Sequence, residues 1–105
     1  MLHNALMDIK NFNFSPEKNA LLVQARGISF EEIIDAILGG GVIEITDHPN
    51  QDKYPKQKVY FLNIDDYVYA VPFVYENDST VFLKTLFPTR KQTRKYLQEQ
   101  SNEKK

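Results

Sequence analysis

Apolar residues recur at helical spacing from Ser15 to Gly39, alternate at a spacing of two from Val42 to Phe87, and return to helical spacing after Thr89. Ser15-Pro16 predicts a helix start, with Ser as N-cap and Pro in the first turn, where its missing N–H is harmless. This helix carries Ala20, Leu21, Leu22, Val23 and Ala25 and stops at Gly27. Ser29 and Glu32 then form a capping box, with Ile28 and Ile33 as a hydrophobic staple around it. Phe30, Ile33, Ile34, Ile37 and Leu38 make one apolar face before Gly39-Gly40-Gly41 ends the helix. A glycine triplet also suits a phosphate loop, but here it follows a helix and no Lys-Ser/Thr comes after it.

Strands are predicted at Val42–Thr46, Lys58–Asp65, Tyr67–Tyr75 and Thr80–Phe87, with a weak extra strand at Ile9–Phe14. Asp65-Asp66 reads as a tight hairpin turn, and Glu76-Asn77-Asp78-Ser79 as a second turn. Pro72 cannot donate to a ladder, so its strand is expected to be an edge or to bulge there. Thr89 and Gln92 repeat the capping-box spacing and open a last helix. Leu86 or Phe87, with Tyr96 and Leu97, would dock it. The expected fold class is α+β: two N-terminal helices, an antiparallel sheet of about four strands and a C-terminal helix.

A length of 105 residues allows one domain, with an ordered core expected at about residues 9–98. The termini, including His3 and the tail after Gln98, are expected to fray. The chain has no Cys, which excludes disulfides and thiolate metal sites and fits a reducing cytoplasm. No apolar run approaches the roughly 18 residues of a membrane span. No signal-peptide pattern is read at the N-terminus.

The net charge of −1 argues against nucleic acid, but the charges are segregated. Lys84 to Lys95 holds five basic residues (Lys84, Arg90, Lys91, Arg94, Lys95) and no acidic one, whereas Glu31 to Asp52 holds six acidic residues and no Lys or Arg. A near-neutral protein can thus present one basic face. Arg90 and Lys91 stand in the first turn of the last helix, against the helix dipole, and Arg94 follows Arg90 on the same face. The cluster is either a phosphate-binding face or a solvated surface.

The loop from Asp47 to Gln57 is polar and stiffened by Pro49 and Pro55, a place where function often sits. His48 is there either as a general acid or base or as a turn residue beside Pro49. With Asp47 and Asp52 it makes no strong metal-ligand spacing, so no metal or cofactor is expected. Tyr54, Tyr60, Tyr67, Tyr69 and Tyr75 are either half-buried core residues or stacking platforms for bases.

Phe12-Asn13-Phe14-Ser15-Pro16-Glu17-Lys18, then Gly27-Ile28-Ser29-Phe30-Glu31-Glu32, and later Arg90-Lys91-Gln92-Thr93 resemble the BrnT toxin family. The resemblance covers roughly residues 12–97. It implies a RelE-like fold and a cytoplasmic toxin of a type II toxin–antitoxin pair. Such a toxin is a metal-independent endoribonuclease that blocks translation, neutralised by a small antitoxin that often carries a ribbon-helix-helix part. Lys18, Arg90 and Lys91 match family positions. Arg26 stands where a His is common, and Lys58 lies near a frequent Glu-Arg pair. Phe14, Ser15 and Leu22 depart from the usual Trp, Asp and Asn, and Tyr96 occupies a frequent Glu position.

RNA cleavage through the 2′-hydroxyl needs cations for the phosphorane charge and groups that move protons. Arg90, Arg94 and Lys84 are the expected charge stabilisers. His48, Lys56, Lys58 and Tyr96 are weaker candidates for proton transfer. Lys91, Lys95, Lys58, Arg26 and Lys18 are the expected RNA contacts. The alternative is a non-catalytic RNA- or protein-binding module of the same fold. Convergence of Lys84, Arg90 and Arg94 beside His48 or Lys56 would favour the enzyme, and a flat basic strip would favour binding.

Overall fold

The capping chemistry read from the sequence at Ser15 and Ser29 is present atom by atom. In a computed structural model, which describes residues 9–98, helix α1 runs over Pro16–Arg26 and α2 over Phe30–Leu38. Ser15 Oγ accepts from the Lys18 N–H at 3.1 Å, and Ser29 and Glu32 close both halves of their capping box. Gly27 ends α1 with φ 72°, a left-handed conformation that a side chain would strain. Asn19 fastens the two helices: its Oδ1 accepts from the Phe30 N–H at 2.7 Å, and its Nδ2 donates to Glu31 at 2.9 Å. That donor, with backbone support, holds the Glu31 carboxyl below its ordinary pKa. The residues expected to fray, 1–8 and 99–105, lie outside the described residues.

Six strands follow the pattern β1 Asn11–Asn13, β2 Val42–Asp47, β3 Lys58–Ile64, β4 Tyr67–Asn77, β5 Thr80–Leu83 and β6 Phe87–Pro88. The sheet order is β1-β5-β4-β3-β2, with β6 paired to β4. This corrects the expected count of about four strands to six; the sheet is mostly antiparallel, with β1 parallel to β5. The α+β class holds.

Pro72 sits in β4, a central strand and not an edge. It pairs with Val59 on one side, and on the other its carbonyl accepts from the Lys84 N–H at 2.8 Å. A residue's N and C=O point the same way across a strand, so the missing N–H faces the stretch where β5 has ended and β6 has not begun. The proline therefore falls at a break in the ladder, and the expected single strand Thr80–Phe87 is divided there into β5 and β6.

Asp65 and Asp66 both have positive φ (53° and 65°), the geometry of a two-residue hairpin turn matched to strand twist. Gly41 belongs to a close approach: a Cβ there would lie 3.0 Å from the Ala36 carbonyl oxygen and 3.3 Å from that of Asn63. The glycine triplet thus stops α2 and lets β2 start against β3.

The two faces of the sheet bury different things. Tyr60, Leu62, Val71, Phe73, Val81 and Leu83 point into the core with Phe30, Ile33 and Ile37 of α2 and Leu22 of α1. A bulge between Val42 and Glu44 shifts the β2 register, which puts Val42 and Ile45 together on this core face. It also turns Glu44 and Thr46 to the opposite face, beside Phe61. There the last helix packs. On the outer side of α1, Leu21 and Val23 remain exposed, and so does Leu38 on α2, so the apolar face of α2 is narrower than expected. No helix among the described residues is long and apolar enough to cross a membrane.

Candidate functional site: a basic helix and its flanking clefts

The last helix begins as α3, Arg90–Thr93, and continues without a break as a π-helix over Arg94–Gln98. Thr89 caps it, accepting from the Gln92 N–H at 3.0 Å. The expected reciprocal bond from Gln92 is missing, and Gln92 Oε1 is buried without a hydrogen-bond partner. Two contacts to Val68 of β4 fix the helix. The Val68 carbonyl accepts from the Thr89 N–H at 2.9 Å, and its N–H donates to Thr93 Oγ1 at 2.8 Å. Thr93 is buried, and its hydroxyl donates in turn to the Thr89 carbonyl at 2.8 Å. Thr93→Val keeps the shape but strips Val68 of its acceptor. A buried donor without a partner costs about 1–3 kcal/mol, so the variant should unfold at correspondingly lower urea. A midpoint equal to wild type would show that the clamp does not hold the helix.

This anchoring places the cations. Among the described residues, Arg90, Lys91, Arg94 and Lys95 line one cleft of about 600 Å³. Arg90 and Arg94 are one helical turn apart, as are Lys91 and Lys95, so each pair shares a side of the helix. Among the described residues none of the four is paired with a carboxylate; the ion pair found is Lys58 with Asp47, at 2.6 Å. That pair is half exposed and adds little to stability. Because α3 is only four residues long, the anion attraction here belongs to the side chains and not to a helix terminus.

A second, smaller cleft of about 220 Å³ adjoins the first through Lys95. The same cleft is lined by Glu44, Phe61, Gln92 and Tyr96. The Tyr96 hydroxyl donates to Glu44 Oε1 across the gap between helix and sheet. The Tyr96 ring lies 6.2 Å from that of Phe61, and Lys95 Nζ is 5.1 Å from the Tyr96 ring centre. Sequence reading gave Tyr96 a minor part and missed Glu44 and Phe61. The signal was the broken alternation Val42-Ile43-Glu44-Ile45, which marks the bulge that turns Glu44 toward the helix.

The remaining expected site residues lie elsewhere. Lys84 follows β5, its Nζ 5.5 Å from the Phe82 ring. Lys56 and Lys58 share a third cleft, about 290 Å³, with Asp47 and Tyr75. His48 organises its loop: Nδ1 accepts from the Asn50 N–H at 3.0 Å, and its ring centre lies 4.5 Å from that of Tyr54. Lys18 and Arg26 are on α1, across the sheet from the basic helix. Thus Arg90, Lys91, Arg94 and Lys95 are brought together, while Lys84, His48 and Lys56 do not join them. Among the described residues no group of His, Asp and Glu is arranged to hold a metal ion. Tyr60 is a core residue. Burial, and then the nearby Tyr75, push its hydroxyl pKa far above the ordinary value.

No family model matches the chain, and comparisons with curated proteins and with solved structures likewise return no match.

Proposed function

We propose that this protein binds RNA through its C-terminal helix, as part of a toxin of the kind its sequence resembles. The observation that carries the reading is the cleft whose described lining is entirely cationic: Arg90, Lys91, Arg94 and Lys95. Such a surface suits the regularly spaced phosphates of a nucleic-acid backbone. Half-buried aromatic groups nearby, Tyr96 and Phe61, suit a single strand whose unstacked bases can rest on a ring. The BrnT-like segments add a RelE-like layout and a small antitoxin as protein partner to the same proposal. RNA cleavage is the second reading. The expected set Lys84, Arg90, Arg94 and His48 is dispersed, which favours binding, but Glu44 and Tyr96 beside Lys95 supply groups able to move protons.

The test is the affinity of the wild-type protein for a single-stranded RNA oligonucleotide across a salt series. Each cation on a phosphate contributes about −0.7 to the log–log slope, so four predict a slope of about −2.8. Affinity should then fall roughly fiftyfold between 50 and 200 mM salt. Absent binding, or binding indifferent to salt, would overturn the proposal.

A further inference from the structure

The cleft beside the basic helix contains two carboxylates, Glu44 and Asp47, with a phenol and an ammonium, and Asp47 is already paired with Lys58. Glu44 comes from β2, turned outward by the bulge; Tyr96 and Lys95 come from the π-helix; Gln92 lies between. Thr89 and Thr93, by fastening the helix to Val68, hold these groups together. Lys95 belongs to both clefts, so a phosphate held on the basic face lies against this cleft.

We propose that Glu44 is the general base of an RNA-cleaving site, with Tyr96 as its positioning residue. The inference rests on the RNA-binding reading and deepens it. The Glu44 carboxylate takes the proton of a ribose 2′-hydroxyl. The freed oxygen attacks the adjacent phosphorus, forming a 2′,3′-cyclic phosphate and breaking the bond to the 5′-oxygen. That oxygen leaves with a proton from the Lys95 ammonium, and solvent carries the proton on Glu44 back to Lys95. Arg94 stabilises the charge on the phosphorane. Tyr96 holds one carboxylate oxygen by its hydroxyl, and the other takes the proton. A carboxylate and an amine thus fill the base and acid roles without a histidine.

The experiment follows cleavage of a single-stranded RNA oligonucleotide by wild type, Glu44→Gln and Tyr96→Phe, with affinity measured in parallel. A second substrate carries 2′-deoxyribose throughout. Wild type should yield 2′,3′-cyclic phosphate ends from RNA and leave the deoxy strand intact. Glu44→Gln should lose cleavage by about 10²–10⁴-fold, the range of general base catalysis, with affinity changed less than tenfold. Tyr96→Phe should lose less, and should lose it in kcat with KM unchanged; a wild-type kcat in this variant overturns its positioning role. Cleavage of the deoxy strand, or wild-type rates from folded Glu44→Gln, overturns the inference. Wild-type protein that binds RNA without cleaving it overturns the inference alone; failure to bind overturns the reading beneath it as well.

Discussion

Replacing Phe73 by alanine should lower folding stability by about 3–5 kcal/mol, the range for emptying a buried aromatic site. Phe73 is fully buried in β4, its ring centre 4.1 Å from that of Tyr60 in a stacked pair and 5.5 Å from that of Tyr75 edge-on. It pairs with Lys58 on one side and with Leu83 on the other, so neither neighbour can collapse into the space without breaking register. Domains of this size hold only about 5–15 kcal/mol in total, so the variant should be marginal at 37 °C. Urea denaturation measures the effect. A loss below about 1 kcal/mol would mean that the two aromatic neighbours close the cavity, and that this end of the core is not rigidly packed.

The double substitution Arg90→Ala/Arg94→Ala should weaken RNA binding by about 10²–10⁴-fold. A hydrogen bond to a charged group contributes about 1.5–3 kcal/mol, and each 1.4 kcal/mol is a factor of ten. Both side chains are exposed, so folding should change by no more than about 0.5 kcal/mol each. A control, Lys10→Ala/Lys53→Ala, removes the same charge from exposed positions away from the helix and should cost less than tenfold. Equal losses in the two variants would mean that RNA responds to total charge and not to this face. If the protein also cleaves RNA, growth arrest on induced expression in a bacterial host should vanish in the arginine variant and persist in the control.

Much of the architecture could be read from local signals. The helix starts at Ser15 and Ser29, the stop at Gly27 and the turn at Asp65-Asp66 depend on neighbours in sequence, and each is found where its chemistry demands. Features set by distant partners were harder to see. Pro72 suggests an edge or a bulge because a central strand ordinarily needs every donor; the break between β5 and β6 makes it harmless. Leu21 and Val23 belong to the apolar run of α1, but the helix buries only its Leu22 side. Of the candidate site, Arg90, Lys91, Arg94 and Lys95 were legible because one helix carries them all. Glu44 was not, since its place beside Tyr96 depends on a one-residue bulge on another element.

The parallel pairing of β1 with β5 joins Asn11–Asn13 to Thr80–Phe82, and most of the described chain lies between these partners. The two hairpins formed by β3, β4 and β5, by contrast, close over turns of a few residues. Long-range closure is slow because chain entropy must be lost before any contact rewards it. A chain emerging from the ribosome therefore holds its first strand without a partner until residues past 80 have appeared. During that interval the β5 side of β4 is also open. Protection of that strand in a newly made molecule therefore waits for β5 and not for its own neighbours in sequence.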